Sequence, residues 1–127
     1  MTQNEMKLRT KKFALLIIQL VHNLPQSRSA KAIGNQLVRS GTSVGSNYRA
    51  VCRAKSTADF INKLAIVEEE ADESAFWLEM LEDSAIVDPD AIAGLRREAD
   101  EILRIVVAAS KTAKQRRNPQ SHIRNPK

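Results

Sequence analysis

The chain has 127 residues, a single cysteine, and 20 Lys/Arg against 15 Asp/Glu, for a net charge of +5. That length suits one domain able to bury roughly two-thirds of its unfolded surface without staples. The lone Cys52 excludes an intrachain disulfide and a multi-cysteine metal site, and reads as a small buried apolar residue in a reducing compartment.

The first helical pattern is carried by Phe13, Leu16, Ile17, Leu20 and Leu24 and stopped by Pro25, which predicts a helix over about residues 6–24. The apolar run from Phe13 to Val21 behind Lys11 and Lys12 has the outline of a secretory signal. Gln19 breaks it, no small-residue cleavage site follows closely, and it is too short to cross a bilayer. The expectation is a soluble cytoplasmic protein with no membrane partner.

Ser27 or Ser29 is placed to cap a second helix whose stripe, Ile33, Leu37, Gly41, Val44, Tyr48 and Val51, steps by three and four over about residues 29–53. Ser40, Gly41, Thr42, Ser43, Gly45, Ser46 and Asn47 are poor helix formers, so their concentration there needs a packing reason. Close approach of another helix at Gly41 and Gly45 supplies one; a flexible loop is the alternative.

Ser56 followed by Asp59 has the form of a capping box with a shorter acid, ahead of Phe60, Leu64, Val67, Ala71, Leu78 and Leu81 on one face. A third helix is predicted over about residues 57–84. Asp88 then Pro89 starts a fourth, because aspartate caps orphan amides and proline at the first helical position sacrifices no bond. Ile92, Leu95, Ala99, Ile102, Val106, Ala109 and Ala113 carry its stripe. Long amphipathic helices on short connections predict an all-α, up-down-up-down antiparallel four-helix bundle over residues 1–114, followed by a basic, disordered tail at residues 115–127.

Several helices are apolar beyond one face: Leu15 and Ile18 on the first, Phe76, Trp77 and Met80 on the third, Ile105 and Val107 on the fourth. A lone bundle needs one apolar face per helix, so the surplus predicts a homo-oligomer interface, with ordinary exposed hydrophobes as the alternative.

Charge is segregated along the chain. Residues 1–58 carry ten Lys/Arg against Glu5 alone, a net of +9. Residues 59–101 carry Lys63, Arg96 and Arg97 against fourteen carboxylates, a net of −11, and residues 102–127 carry seven cations and no acid. In the predicted topology the start of helix one, the joint between helices two and three, and the end of helix four share one pole. That pole gathers Lys7, Arg9, Lys11, Lys12, Arg49, Arg53, Lys55, Lys111, Lys114, Arg116 and Arg117. These are the candidate nucleic-acid-binding residues, since clustered cations are the footprint expected for phosphate backbones. The bland alternative is that cations favour helix C-termini and solvated tails. Glu79, Glu82, Asp83, Asp88 and Asp90 fall at the opposite pole, diluted by Arg28 and Lys31.

No active site is legible. A di-iron bundle needs Glu-x-x-His pairs, and neither His22 nor His122 follows such a glutamate. The acidic run Glu68, Glu69, Glu70, Asp72 and Glu73 reads as a solvated or interface face, not a metal site. No serine or cysteine has a partnered histidine in the pattern, and the glycines of GTSVGSN lack the ending of a phosphate loop. The expectation is a protein that is not an enzyme and holds no cofactor or metal.

At Arg39-Ser40, Ser43-Val44, Asn47-Tyr48, Ser56 with Asp59-Phe60, Lys63-Leu64, Glu70-Ala71, Glu73-Ser74 and Trp77-Leu78, the chain resembles a bacterial family of small four-helix-bundle proteins. These are encoded in intervening sequences of 23S ribosomal RNA genes. They are similar to the accessory variability protein of diversity-generating retroelements, which partners a reverse transcriptase. The likeness runs over about residues 8–112, nearly the whole folded part. It implies a homopentameric barrel with a basic surface, nucleic-acid binding in the retroelement branch, and no catalytic residue. Ser43, Asn47, Asp59, Phe60, Lys63, Leu64, Ala71 and Trp77 match pattern positions that look structural. Ala50 stands where relatives often carry a glutamate and Glu69 where a lysine is frequent, so the surface charge departs from the pattern. Two functions from different classes follow as expectations: nucleic-acid binding through the basic pole, or a structural adaptor for a protein such as a reverse transcriptase.

Overall fold

The computed structural model describes residues 1–117, in which four helices succeed one another: α1 (Gln3–His22), α2 (Arg28–Val51), α3 (Thr57–Asp83) and α4 (Pro89–Arg117). Among the described residues there is no strand. The connections, residues 23–27, 52–56 and 84–88, are short, so sequential helices lie antiparallel and each packs on the next. A narrower seam between α1 and α4 closes the expected four-helix bundle. No helix among the described residues is long and apolar enough to cross a membrane.

The helix starts follow from local hydrogen-bond chemistry. Ser27 is the cap of α2, its Oγ accepting the Ala30 amide at 3.2 Å. Ser56 Oγ accepts the Asp59 amide at 3.0 Å while the Asp59 carboxylate reaches back to the Lys55 amide at 3.0 Å. Asp88 Oδ1 accepts the Asp90 amide at 3.0 Å, with Pro89 opening α4. α1 begins earlier than its apolar stripe indicates, because a capping box joins Thr2 and Glu5, and a polar cap leaves no trace in hydrophobic periodicity. At its other end α3 closes with Ala85 at φ 62°, the left-handed position usually held by glycine, and the Ile86 amide bonds back to the Leu81 carbonyl at 3.1 Å.

The core is one layer of Phe13, Ile17, Leu37, Val44, Leu64, Val67, Leu78, Leu81, Ile92 and Ile102, all essentially inaccessible to solvent. The predicted stripes are right in period and off by one position in places. Leu16 is 37 % exposed, because the buried arc of α1 is centred on Met6, Thr10, Phe13 and Ile17. On α3 Ile61, not Phe60, enters the core, and Phe60 packs at its edge. Cys52 is half-buried at the core's margin, not fully enclosed.

The small-residue stretch of α2 is helix, not loop. A Cβ at Gly41 would lie 2.9 Å from Ile17, and one at Gly45 would lie 3.3 Å from the Thr10 carbonyl oxygen. Both glycines therefore set the separation of α1 and α2. On the neighbouring flank the buried hydroxyls of Ser40 and Ser74 meet at 3.0 Å across α2 and α3, and Ser74 also reaches the Glu70 carbonyl at 2.9 Å. Polar residues in this part of α2 are thus satisfied inside the helix pair.

Of the surplus apolar residues, Leu15, Ile18, Phe76 and Val107 are exposed, whereas Trp77, Met80 and Ile105 are half-buried within the bundle. α4 continues through Gln115, Arg116 and Arg117, so these three are helical and not the start of a disordered tail; residues 118–127 of that expected tail lie outside the described residues.

Candidate nucleic-acid interface

The basic candidates sort into three places. Lys55 and Arg116 line one hollow of about 400 Å³ with Gln3, Ser56 and Ala113, which puts the start of α1, the α2–α3 joint and the end of α4 at a common end of the bundle. Lys7, Lys11 and Arg49 line a groove of about 270 Å³ between α1 and α2, walled by Thr42 and Ser46. Arg9 and Lys12 lie on the opposite flank of α1, against α4 beside Glu98. Arg53, Lys111, Lys114 and Arg117 are exposed, the first just beyond α2 and the others in the last turns of α4.

Arg9 departs from the expected role. Its Nε and Nη2 donate to Glu98 at 2.7 and 2.8 Å, and Nη2 also meets Glu101. The carboxylates hold its guanidinium charged, and Arg9 in turn holds Glu101 below the usual carboxylate range. Arg9 is a clamp on the α1–α4 seam, with its charge neutralised locally.

The other ten candidates make no ion pair among the described residues. The reason lies in the order of charges along the chain. Every pairing carboxylate, Asp59, Glu70, Glu73, Glu82, Glu98, Asp100 and Glu101, comes from α3 or the first half of α4. Those helices pair Lys63, Arg96 and Arg104 of their own and two neighbours, Arg9 and Arg39; at the α2–α3 joint Asp59 takes the Lys55 amide and the Lys63 ammonium, and the Lys55 ammonium makes no ion pair among the described residues.

The α2–α3 seam carries a second polar cluster that periodicity did not indicate. Arg39 pairs with Glu73, which also accepts from Trp77 Nε1 at 3.2 Å, and Arg39 lies 3.7 Å from Glu70. Bonds from Trp77 and Arg39 hold Glu73 below the usual carboxylate range, while burial pushes Glu70 above it. The acidic run of α3 is thus partly structural: Glu70 and Glu73 bind α2, and Glu69 and Asp72 face solvent. Among the described residues no three His, Cys, Asp or Glu side chains gather as a metal site.

Among the described residues Phe60 is the aromatic side chain that lines the hollow of Lys55 and Arg116, and it is half-buried. Tyr48 is buried, and Trp77 sits edge-on to Phe76 with ring centroids 4.9 Å apart on α3. The groove itself was missed in the sequence. Its signal was available in Thr42 and Ser46, which share one flank of α2 with Arg49 by helical spacing.

These features define a small all-helical bundle with unpaired cations in the hollow of Lys55 and Arg116 and in the α1–α2 groove, and with its pairing carboxylates along α3 and early α4. The chain belongs to the 23S rRNA-intervening sequence protein family, whose description matches residues 2–108. It is similar to the crystal structure of a protein with unknown function from the S23 ribosomal protein family of Bacteroides thetaiotaomicron VPI-5482. The two share 33 % identity and a TM-score of 0.80, covering 87 % of this chain and 99 % of that one. No curated protein matches this chain.

Proposed function

We propose that this protein is a non-enzymatic, oligomeric bundle of the cytoplasm that binds nucleic acid, structured RNA or DNA, through its basic end. One observation carries the reading: ten cations, at the end of the bundle and along the two flanks of α1, make no ion pair among the described residues, although the chain holds enough carboxylates to neutralise most of them. Unneutralised, like-signed side chains oppose folding, and a polyanion relieves that repulsion by counterion release. With Phe60 half-buried in the wall of that end's hollow, recognition rests on phosphates and shape more than on base stacking. Mobility-shift titration with duplex RNA and duplex DNA tests it; no shift at low salt sinks the reading.

Assembly is part of the same proposal. Leu15 and Ile18 on α1 and Phe76 on α3 are 52 %, 44 % and 47 % exposed and suit contact between copies. The likeness to the retroelement accessory protein implies five copies, and a ring would multiply the basic ends.

A second reading, an adaptor for a protein such as a reverse transcriptase, is favoured by the outer side of α3, where Glu69, Asp72 and Phe76 are exposed together. Co-purification of a protein partner that survives nuclease treatment distinguishes it from the first.

A further inference from the structure

The geometry points to a seat for a single nucleic-acid backbone phosphate in the groove between α1 and α2, formed by Lys7, Lys11, Arg49 and Ser46 over Gly45. This deepens the proposed function and rests on it: the basic end attracts any polyanion, and the groove fixes where one phosphate lies.

Lys7 and Lys11 are one turn apart on α1, and Arg49 faces them from α2 across a groove that no carboxylate lines. Like charges at this helical spacing are mutually destabilising, and a third cation opposite adds to the cost. None of the three makes an ion pair among the described residues. An anionic oxygen placed between them removes that cost. The planar fork of Arg49 matches two phosphate oxygens at once, and the two ammonium groups act as point charges on the same anion.

The hydroxyls refine this. Thr42 Oγ1 donates to the Val38 carbonyl at 2.6 Å, so its proton is committed to the helix. Ser46 Oγ lies 3.4 Å from the Ser43 carbonyl, a weak contact that leaves its proton free to turn to an anionic oxygen. Gly45 forms the floor. Without a side chain it lets α2 come down on the Thr10 carbonyl, which keeps cations from both helices within reach of one small anion.

The test is fluorescence anisotropy with a labelled RNA duplex and a DNA duplex of equal length, at several salt concentrations, using the full chain. Ser46→Leu fills the groove at constant net charge and lies on an exposed helical surface, so it separates the seat from bulk electrostatics. Loss of a hydrogen-bonded phosphate is expected to weaken binding about tenfold on both duplexes. Lys11→Gln, a second variant at an exposed position, is expected to weaken binding several-fold and to make the log–log salt slope shallower by about one. Wild-type affinity in both variants, beside a loss in Lys55→Gln/Arg116→Gln, overturns the seat and leaves the basic-end reading standing. Loss confined to one duplex type also overturns it, because a backbone phosphate is common to both. Wild-type protein that binds neither duplex at low salt overturns both.

Discussion

Arg9 and Glu98 join α1 to α4 by two parallel hydrogen bonds at 2.7 and 2.8 Å, at the seam where the bundle has its least extensive helix–helix packing. A bidentate charged pair at a half-buried position fixes both spacing and register. Arg9→Ala is expected to cost about 1–2 kcal/mol, through the lost bonds and the lost packing of the arginine stem. Chemical denaturation reads the difference.

Arg9 also sets part of the acid response, through Glu101. Arg9 holds Glu101 below the usual range, Lys63 and the Lys55 amide do the same for Asp59, and Trp77 and Arg39 for Glu73. A carboxylate depressed in the folded state contributes stability that is complete above its unfolded value, near about pH 4, and is lost as pH falls through its folded value. The thermal midpoint is therefore expected to fall as pH drops below about 4.5. Arg9→Ala is expected to flatten that fall, since the Glu101 share is already gone. Glu70, raised by burial, runs in the opposite sense and partly masks it.

Two glycines are expected to respond to alanine with opposite signs. At Gly41 the new Cβ meets the β-branched Ile17 at 2.9 to 3.2 Å, and a stiff side chain in a full core has nowhere to go. The steric cost exceeds the helix-propensity gain, leaving Gly41→Ala destabilised by about 1–2 kcal/mol. At Gly94, within α4, the nearest atom is the tip of Arg97 at 3.9 Å, so Gly94→Ala is expected to stabilise by about 0.5–1 kcal/mol. Urea midpoints of the two variants check both signs.

Ala85 gives a third stability test. It holds the left-handed position that ends α3, where its Cβ is unfavourable and glycine carries no such penalty. Ala85→Gly is expected to raise stability by about 0.5–1 kcal/mol, the relief of strain exceeding the added freedom of the unfolded chain. A lower urea midpoint would contradict this reading of the α3 terminus.

The bundle was legible in the sequence because its helices are long and their periods strong. Asp88-Pro89 and Ser56 with Asp59 marked two starts by chemistry that acts within one turn. Even the glycines of α2 could be read, since poor helix formers inside a long apolar stripe imply a close neighbour. The candidate site was legible only as a list of cations. Whether Arg9 stands free or pairs with Glu98 depends on the vertical register of α1 against α4, which no local rule fixes. Separating Lys7 and Lys11 from Lys12 depends on which flank of α1 faces α2, and the apolar stripe, misplaced by one residue at Leu16, blurred that boundary.

Assembly through the exposed apolar residues has its own test. Leu15→Glu and Phe76→Glu alter positions 52 % and 47 % exposed, so each chain is expected to fold while the oligomer dissociates. Light scattering is expected to return an oligomer for the wild type and a monomer for the pair of substitutions. A monomeric wild type would remove the second-interface argument.

The most direct measurement is the salt dependence of nucleic-acid binding for the wild type beside a variant with reversed charge at Arg49, Arg53, Arg116 and Arg117. The log of the association constant is expected to fall linearly with the log of salt concentration, and the variant to bind far more weakly with a slope shallower by roughly four, about one per arginine. Equal affinity and slope in the two proteins, or no binding by the wild type at low salt, would contradict the central claim.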